Sequence, residues 1–265
     1  NNNCFVICSP SDDDNYYYQT SLKWCSYDTT PIDTSNKEYI STTKLGGGWP
    51  VCAERNWHDG DDKLKSLYDR DLRIATRFLP KHARDVLRSN TPFYINKSIK
   101  YGPKVCPVRG SAMCFHPGAS WLKQNGMSPS KKESVEIYCA KEYYRDREYW
   151  GPGGVLLHEL SHAYHWKVLK DGYDNREIKD CYDAAMKEGL YDLVYVHDDG
   201  KNKQKKAKRR AYACENQMEY FAELSVAFLA GTDKNVDYNK WQPFNRNELQ
   251  TFDPRAYRLL QQIWE

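Results

Sequence analysis

Residues 153–165 read Gly153-Gly154-Val155-Leu156-Leu157-His158-Glu159-Leu160-Ser161-His162-Ala163-Tyr164-His165, and this stretch decides the fold. The turn signal Trp150-Gly151-Pro152-Gly153-Gly154 precedes it and marks a helix start, so a helix is predicted over about 153–169. Within that helix His158 and His162 stand four residues apart, on one face, where both imidazoles can converge on one metal ion. Glu159 lies one residue on, about 100° round the helix. From there its carboxylate can reach a water on the metal without displacing a ligand. Metal-activated hydrolysis needs this arrangement: the ion lowers the pKa of the water and the carboxylate accepts its proton.

Two imidazoles leave a metal short of a third protein ligand. His165 lies on the same face, but about 10.5 Å along the axis from His158. It is read as a rim or supporting residue rather than a direct ligand. The pattern with Gly three residues after the second His and a further His beyond is absent, because those positions hold His165 and Val168. A second helix, predicted over about 215–229, offers Glu215, Glu219 and Glu223 at i, i+4 and i+8. Apolar Met218, Phe221, Ala222, Val226 and Phe228 flank them.

His-Glu-x-x-His followed by a helix that donates a Glu resembles the gluzincin branch of zinc metallopeptidases. Tyr212-x-x-x-Asn216-x-x-Glu219-Tyr220-Phe221-Ala222-Glu223 is similar to the second half of the anthrax lethal-factor-type catalytic domain. The stretch from about 92 to 265 also resembles secreted microbial zinc-peptidase-like proteins. These share a Tyr-Phe-Ala-Glu string and a Pro-Phe-x-Arg-x-Glu-Leu tail, present here as Pro243-Phe244-Asn245-Arg246-Asn247-Glu248-Leu249. The resemblance implies that Glu219 joins His158 and His162 as ligands of one catalytic Zn²⁺. It implies that Tyr212 hydrogen-bonds the substrate oxyanion, and that Glu223 supports a zinc-binding His. Asn216 and His165 fall in the surrounding shell. Residues 1–58 carry no such resemblance.

The remaining composition sets bounds. The chain has 265 residues, 39 Lys+Arg against 36 Asp+Glu, and 21 Tyr, 8 Trp and 8 Phe, too aromatic for a disordered chain. Mean hydropathy is −0.86, and no apolar run is long enough to span a bilayer. The basic excess sits in residues 201–210, Lys-Asn-Lys-Gln-Lys-Lys-Ala-Lys-Arg-Arg; elsewhere acidic residues outnumber basic ones. A nucleic-acid-binding face is therefore not expected. The basic run reads first as a solvated hairpin tip between strands near 193–196 and 211–213. A processing site or a contact to polyanions is the further reading.

Nine cysteines, at 4, 8, 25, 52, 106, 114, 139, 181 and 214, include no Cys-x-x-Cys pair. Their scatter suits disulfides in an oxidising compartment, and the start at Asn1 reads as a mature secreted form. The sequon Asn96-Lys97-Ser98 fits secretion. A Cys181–Cys214 bridge would brace Tyr212.

The fold expected is therefore α+β, zincin-like and disulfide-stapled: a small mixed sheet, an active-site helix and a mostly helical C-terminal part. Residues 1–58 are expected to form a Cys-containing, loop-rich N-terminal segment packed on a 59–265 metallopeptidase body. Strands are expected at 92–95 and 134–139, the latter as the sheet edge on which a peptide adds. The expected function is that of a secreted, monomeric zinc endopeptidase acting on protein or peptide. The alternative is a catalytically silent binding protein on the same scaffold, holding a glycan, matrix or protein partner.

Overall fold

The computed structural model describes residues 39–42, 45–55, 62–97, 113–124, 127–197, 206–230 and 236–265. The cysteines at 4, 8, 25 and 106 and the tip residues 198–205 lie outside them. The architecture is α+β. A five-stranded mixed sheet comprises β1 (Tyr39–Thr42), β2 (Val51–Glu54), β3 (Phe93–Ile95), β4 (Met113–His116) and β5 (Ser134–Ile137), in the order β1-β2-β3-β5-β4. β2, β3 and β5 run parallel, and β1 and β4 close the two ends antiparallel. The sheet thus draws strands from both sides of the boundary expected near residue 58.

One correction concerns the sheet edge. The 134–137 strand forms as expected but is internal, held between β3 and β4. The edge on this side is β4, which lies within the Pro- and Gly-rich residues 101–118.

Strand register explains the two faces. Val51, Phe93, Val135 and Phe115 form one transverse row, and Ala53, Ile95, Ile137 and Met113 the next. All eight are buried in the main core. Between these rows, Cys52, Tyr94, Glu136 and Cys114 point to the opposite face, by the two-residue period of a strand. There the fully buried Glu136 accepts from Lys131 Nζ at 2.6 Å and from Asn96 Nδ2 at 2.8 Å. His116 Nε2 lies 2.8 Å from its other oxygen. The Lys131 ammonium sits over the rings of Tyr39 and Tyr94. Asn96 is itself buried, and its amide nitrogen also donates to the Ile137 carbonyl. The sequon nitrogen is therefore part of the folded interior.

The helices follow their apolar spacing. In α1 (Asp62–Phe78), Tyr68, Leu72 and Ala75 are buried, with Leu79 just beyond; Pro80 separates it from α2 (Lys81–Asn90), whose Ala83 and Leu87 face inward. Two short helices, α3 (Ala119–Gln124) and α4 (Ala140–Asp146), flank β5 in the chain. The motif helix α5 (Gly154–Lys167) is buried on every side from Gly154 to His165, as an interior helix should be. Its start requires glycine. Gly153 has φ of +77°, and a Cβ there would sit 2.7 Å from the Asp71 carbonyl oxygen of α1.

The C-terminal part is mostly helical: α6 (Arg176–Lys187), α7 (Gln217–Ala230), α8 (Arg246–Phe252) and α9 (Pro254–Trp264). Trp264 of α9 locks onto α7 by stacking on Phe221 and donating from Nε1 to Ser225 Oγ at 3.1 Å. The expected hairpin forms, but its second strand is shifted. β6 (Val194–His197) pairs with β7 (Lys206–Arg209), so the end of the basic run is strand, and Tyr212–Cys214 is a 3₁₀ turn. Among the described residues no helix is long and apolar enough to cross a membrane.

No disulfide joins two of the described cysteines. The Cys181–Cys214 bridge in particular is not made, because the two side chains face different neighbours. Cys214 donates to the Tyr191 carbonyl at 3.4 Å, whereas Cys181 feels the charges of Asp253 and Arg255.

Candidate metal centre

The two interior helices α5 and α7 pack against each other, and the centre lies between them. From α5 come His158, Glu159 and His162; from α7 come Glu219 and Glu223. All five are buried. The α7 start is fixed by Asn216, whose Oδ1 accepts from the backbone N–H groups of Met218 and Glu219, each at 2.9 Å. Asn216 thus acts as a helix cap that sets the Glu219 backbone.

Three Lewis-basic atoms converge. His158 Nε2 and His162 Nε2 are 3.0 Å apart, and Glu219 Oε2 lies 3.1 and 3.2 Å from them. Around a tetrahedral ion with bonds of about 2.0–2.1 Å, neighbouring ligand atoms stand about 3.3 Å apart. The observed triangle is close to that spacing. Two imidazole lone pairs at such a distance in a buried site repel unless a proton or cation lies between them. His158, His162 and Glu219 form the group among the described residues that can hold a metal ion. The outward nitrogen of His158 fits this reading. Glu223 Oε1 is 3.4 Å from His158 Nδ1, on the ring side away from the triangle.

Electrostatics follow from burial and mutual charge. Burial alone would lower the His158 pKa, but hydrogen bonding to Glu219 and the charges of Glu219, Glu223 and Glu159 outweigh it and lift it to about 9. Burial would raise Glu219, but His162 and His158 hold it down to about 2. Glu223 is pushed up to about 7 by burial, with the Glu219 charge adding to it against His158. Burial likewise raises Glu159, opposed by both imidazoles. The cluster is strongly polarised, with negative charge concentrated on the carboxylate of the triangle.

Glu159 does not join the triangle. Its Oε2 accepts from the backbone N–H of Phe115 in the edge strand, at 2.8 Å. Tyr212 stands in the turn before α7 with its hydroxyl 3.4 Å from Glu219 Oε1. The sequence-predicted residues His158, Glu159, His162, Tyr212, Glu219 and Glu223 are thus brought together. His165 is not at the rim. It is fully buried between the rings of Tyr173 and Phe221, 5.0 and 4.8 Å away. Burial and the His162 charge press its pKa to about 3, which keeps it neutral.

Three neighbours were not predicted from sequence. The Phe115 amide lies in a strand the sequence hides. Trp150 meets His158 edge-on at 5.5 Å, and Tyr173 meets His162 at 6.4 Å. Trp150 sits in the quoted turn signal, so its position just before the motif was the available clue. Compared with protein-family models, curated proteins and solved structures, the chain matches none.

Proposed function

We propose that this chain is a secreted zinc-dependent endopeptidase with a zincin-like fold of the gluzincin type. The observation that carries the reading is the His158–His162–Glu219 triangle with the Glu159 carboxylate beside it on the same helix. A zinc ion held by those three residues would supply a Lewis acid and a water acidic enough to ionise near neutral pH.

The chain's own groups have distinct tasks. Glu159 takes the proton from the attacking water and passes it to the leaving amine. The Phe115 N–H fixes one Glu159 oxygen and so aims the other. Burial keeps Glu159 more basic than an ordinary carboxylate, as a proton acceptor requires. Tyr212 donates to the scissile carbonyl oxygen as negative charge grows on it. Glu223 Oε1 stands 3.4 Å from His158 Nδ1, where its charge favours a proton on that nitrogen and leaves Nε2 free to ligate. An extended peptide adds along β4, the sheet edge that also holds Glu159, so the strand that binds substrate also positions the base.

Digestion of a mixed peptide library tests the proposal. Cleavage should occur, stop with a zinc chelator and return when zinc is restored. Zinc binding with no cleavage of any library member would refute the peptidase reading and favour a silent binding protein.

A further inference from the structure

Away from the metal centre, α1 and α2 border an open groove of about 380 Å³ lined by Arg70, Arg73, Arg77, Arg84 and Arg88, with Thr76, Gly46 and Gly47. The lining follows from the helix period. Arg70, Arg73 and Arg77 stand at i, i+3 and i+7 on the α1 face opposite Ala75, and Arg84 and Arg88 stand one turn apart on α2. Pro80 turns the second helix so that both stripes face one space.

The charge is only partly balanced: Asp85, which accepts from Lys81, also feels the charges of Arg84 and Arg88. Asp69 offsets one guanidinium, accepting from Arg73 Nε at 2.9 Å while its other oxygen takes the Gly46 N–H at 2.7 Å. Asp71 is turned away, bound to Arg147 and Tyr143, and Arg70 reaches it only at 3.6 Å. Among the described residues no carboxylate lies within ion-pair distance of Arg77, Arg84 or Arg88. Arg88 stacks its guanidinium over the Trp49 ring, and its Nε is buried with no hydrogen-bond partner. A cluster of like charges along a concave wall is costly, and an anion held there would offset it.

The glycine loop is shaped to this groove. Gly46 has φ of +61°, and a Cβ there would overlap Leu72. The backbone can therefore lie close against α1 beside Arg73. All the cations are arginine, whose planar fork matches phosphate and sulfate oxygens in pairs. The volume falls in the range of small-molecule sites, about 300–1,000 Å³, and exceeds the need of one oxyanion.

We propose that this groove binds a compact polyanion carrying two or more phosphate or sulfate groups. None of the described residues 206–210 of the basic run lines the groove, and the proposal does not depend on the peptidase reading.

Calorimetric titration of the full chain with inorganic tripolyphosphate and with a trisulfated heparin disaccharide tests it. The wild type should bind at least one probe, more weakly as salt rises. Tighter binding of the first would identify the ligand as phosphorylated, of the second as sulfated; either supports the site. Arg77→Gln combined with Arg84→Gln should weaken binding at least tenfold, while Lys208→Gln with Arg209→Gln should change it less than twofold. Metal extraction by tripolyphosphate would be equal in all three proteins and cancels. Should the double variant not fold, the bound probe should protect Arg77 and Arg84 of the wild type from phenylglyoxal, read by peptide mass. No binding of either probe, unchanged affinity in the Arg77/Arg84 variant, or loss in the Lys208/Arg209 variant would overturn the proposal.

Discussion

Phe115 and Glu159 are joined across two elements: the backbone N–H of the edge strand donates to the carboxylate of the motif helix at 2.8 Å. The sheet edge and the candidate base are thereby one mechanical unit. Glu159→Gln preserves an oxygen that can accept this bond, so the variant should fold and keep its metal. It loses the proton acceptor. Peptide turnover should fall by about 10²–10⁴-fold, measured by steady-state cleavage beside metal analysis. Full activity would remove Glu159 from the mechanism.

Tyr212 is placed to donate rather than to ligate. Tyr212→Phe should retain stoichiometric metal and the wild-type melting temperature. Its kcat should drop by about 10²–10³-fold, with a smaller change in KM, because the hydroxyl matters most when the carbonyl oxygen is charged. A fall in metal content instead would mean that Tyr212 acts by holding Glu219.

The helical part of this arrangement was legible in the sequence because α5 and α7 carry dense local signals. The Gly-Pro turn, the His158–His162 spacing and the Glu219–Glu223 spacing each depend on neighbours within a turn or two. The β4 strand was not legible. It is four residues long, lies inside a Pro- and Gly-rich stretch, and owes its form to pairing with β5. For the same reason β7 was placed too late. Lys208 and Arg209 are exposed, so no burial pattern betrays a strand, and cross-strand partners such as Tyr195 and Lys208 set it. The arginine groove needed the turn at Pro80 to bring two stripes together. Cysteine count suggested staples, yet the described thiols face different neighbours.

Gly153 is a steric requirement of the motif helix. Gly153→Ala would force φ of +77° on a residue with a Cβ and drive that atom against the Asp71 carbonyl and the Ala75 amide. The expected cost is about 1–3 kcal/mol, read as a lowered midpoint in urea. Wild-type stability in this variant would show that α1 and α5 do not meet so closely.

The buried Glu136 makes a pH prediction away from the metal. Burial would raise its pKa, but the Lys131 charge and the hydrogen bond and charge of His116 overcome this and hold it down to about 2. An unfolded glutamate titrates near pH ~4.3. A depressed folded value means the stabilisation is fully present above that pH. It is lost as pH falls toward 2. The loss should be about 3 kcal/mol over that window. Glu136→Gln should flatten this part of the acid profile and lower stability at neutral pH by about 3–5 kcal/mol, since Lys131 is left buried without its partner. Chemical unfolding at stepped pH measures both effects. An unchanged acid limb in the variant would exclude Glu136 as its source.

The most direct measurement is metal content by mass spectrometry after dialysis, on the wild-type chain and on Glu219→Ala, each checked for folding by circular dichroism. The expected result is one zinc per wild-type chain and a folded variant that has lost it. No zinc in the wild type, or equal zinc in the two proteins, would contradict a centre built from His158, His162 and Glu219.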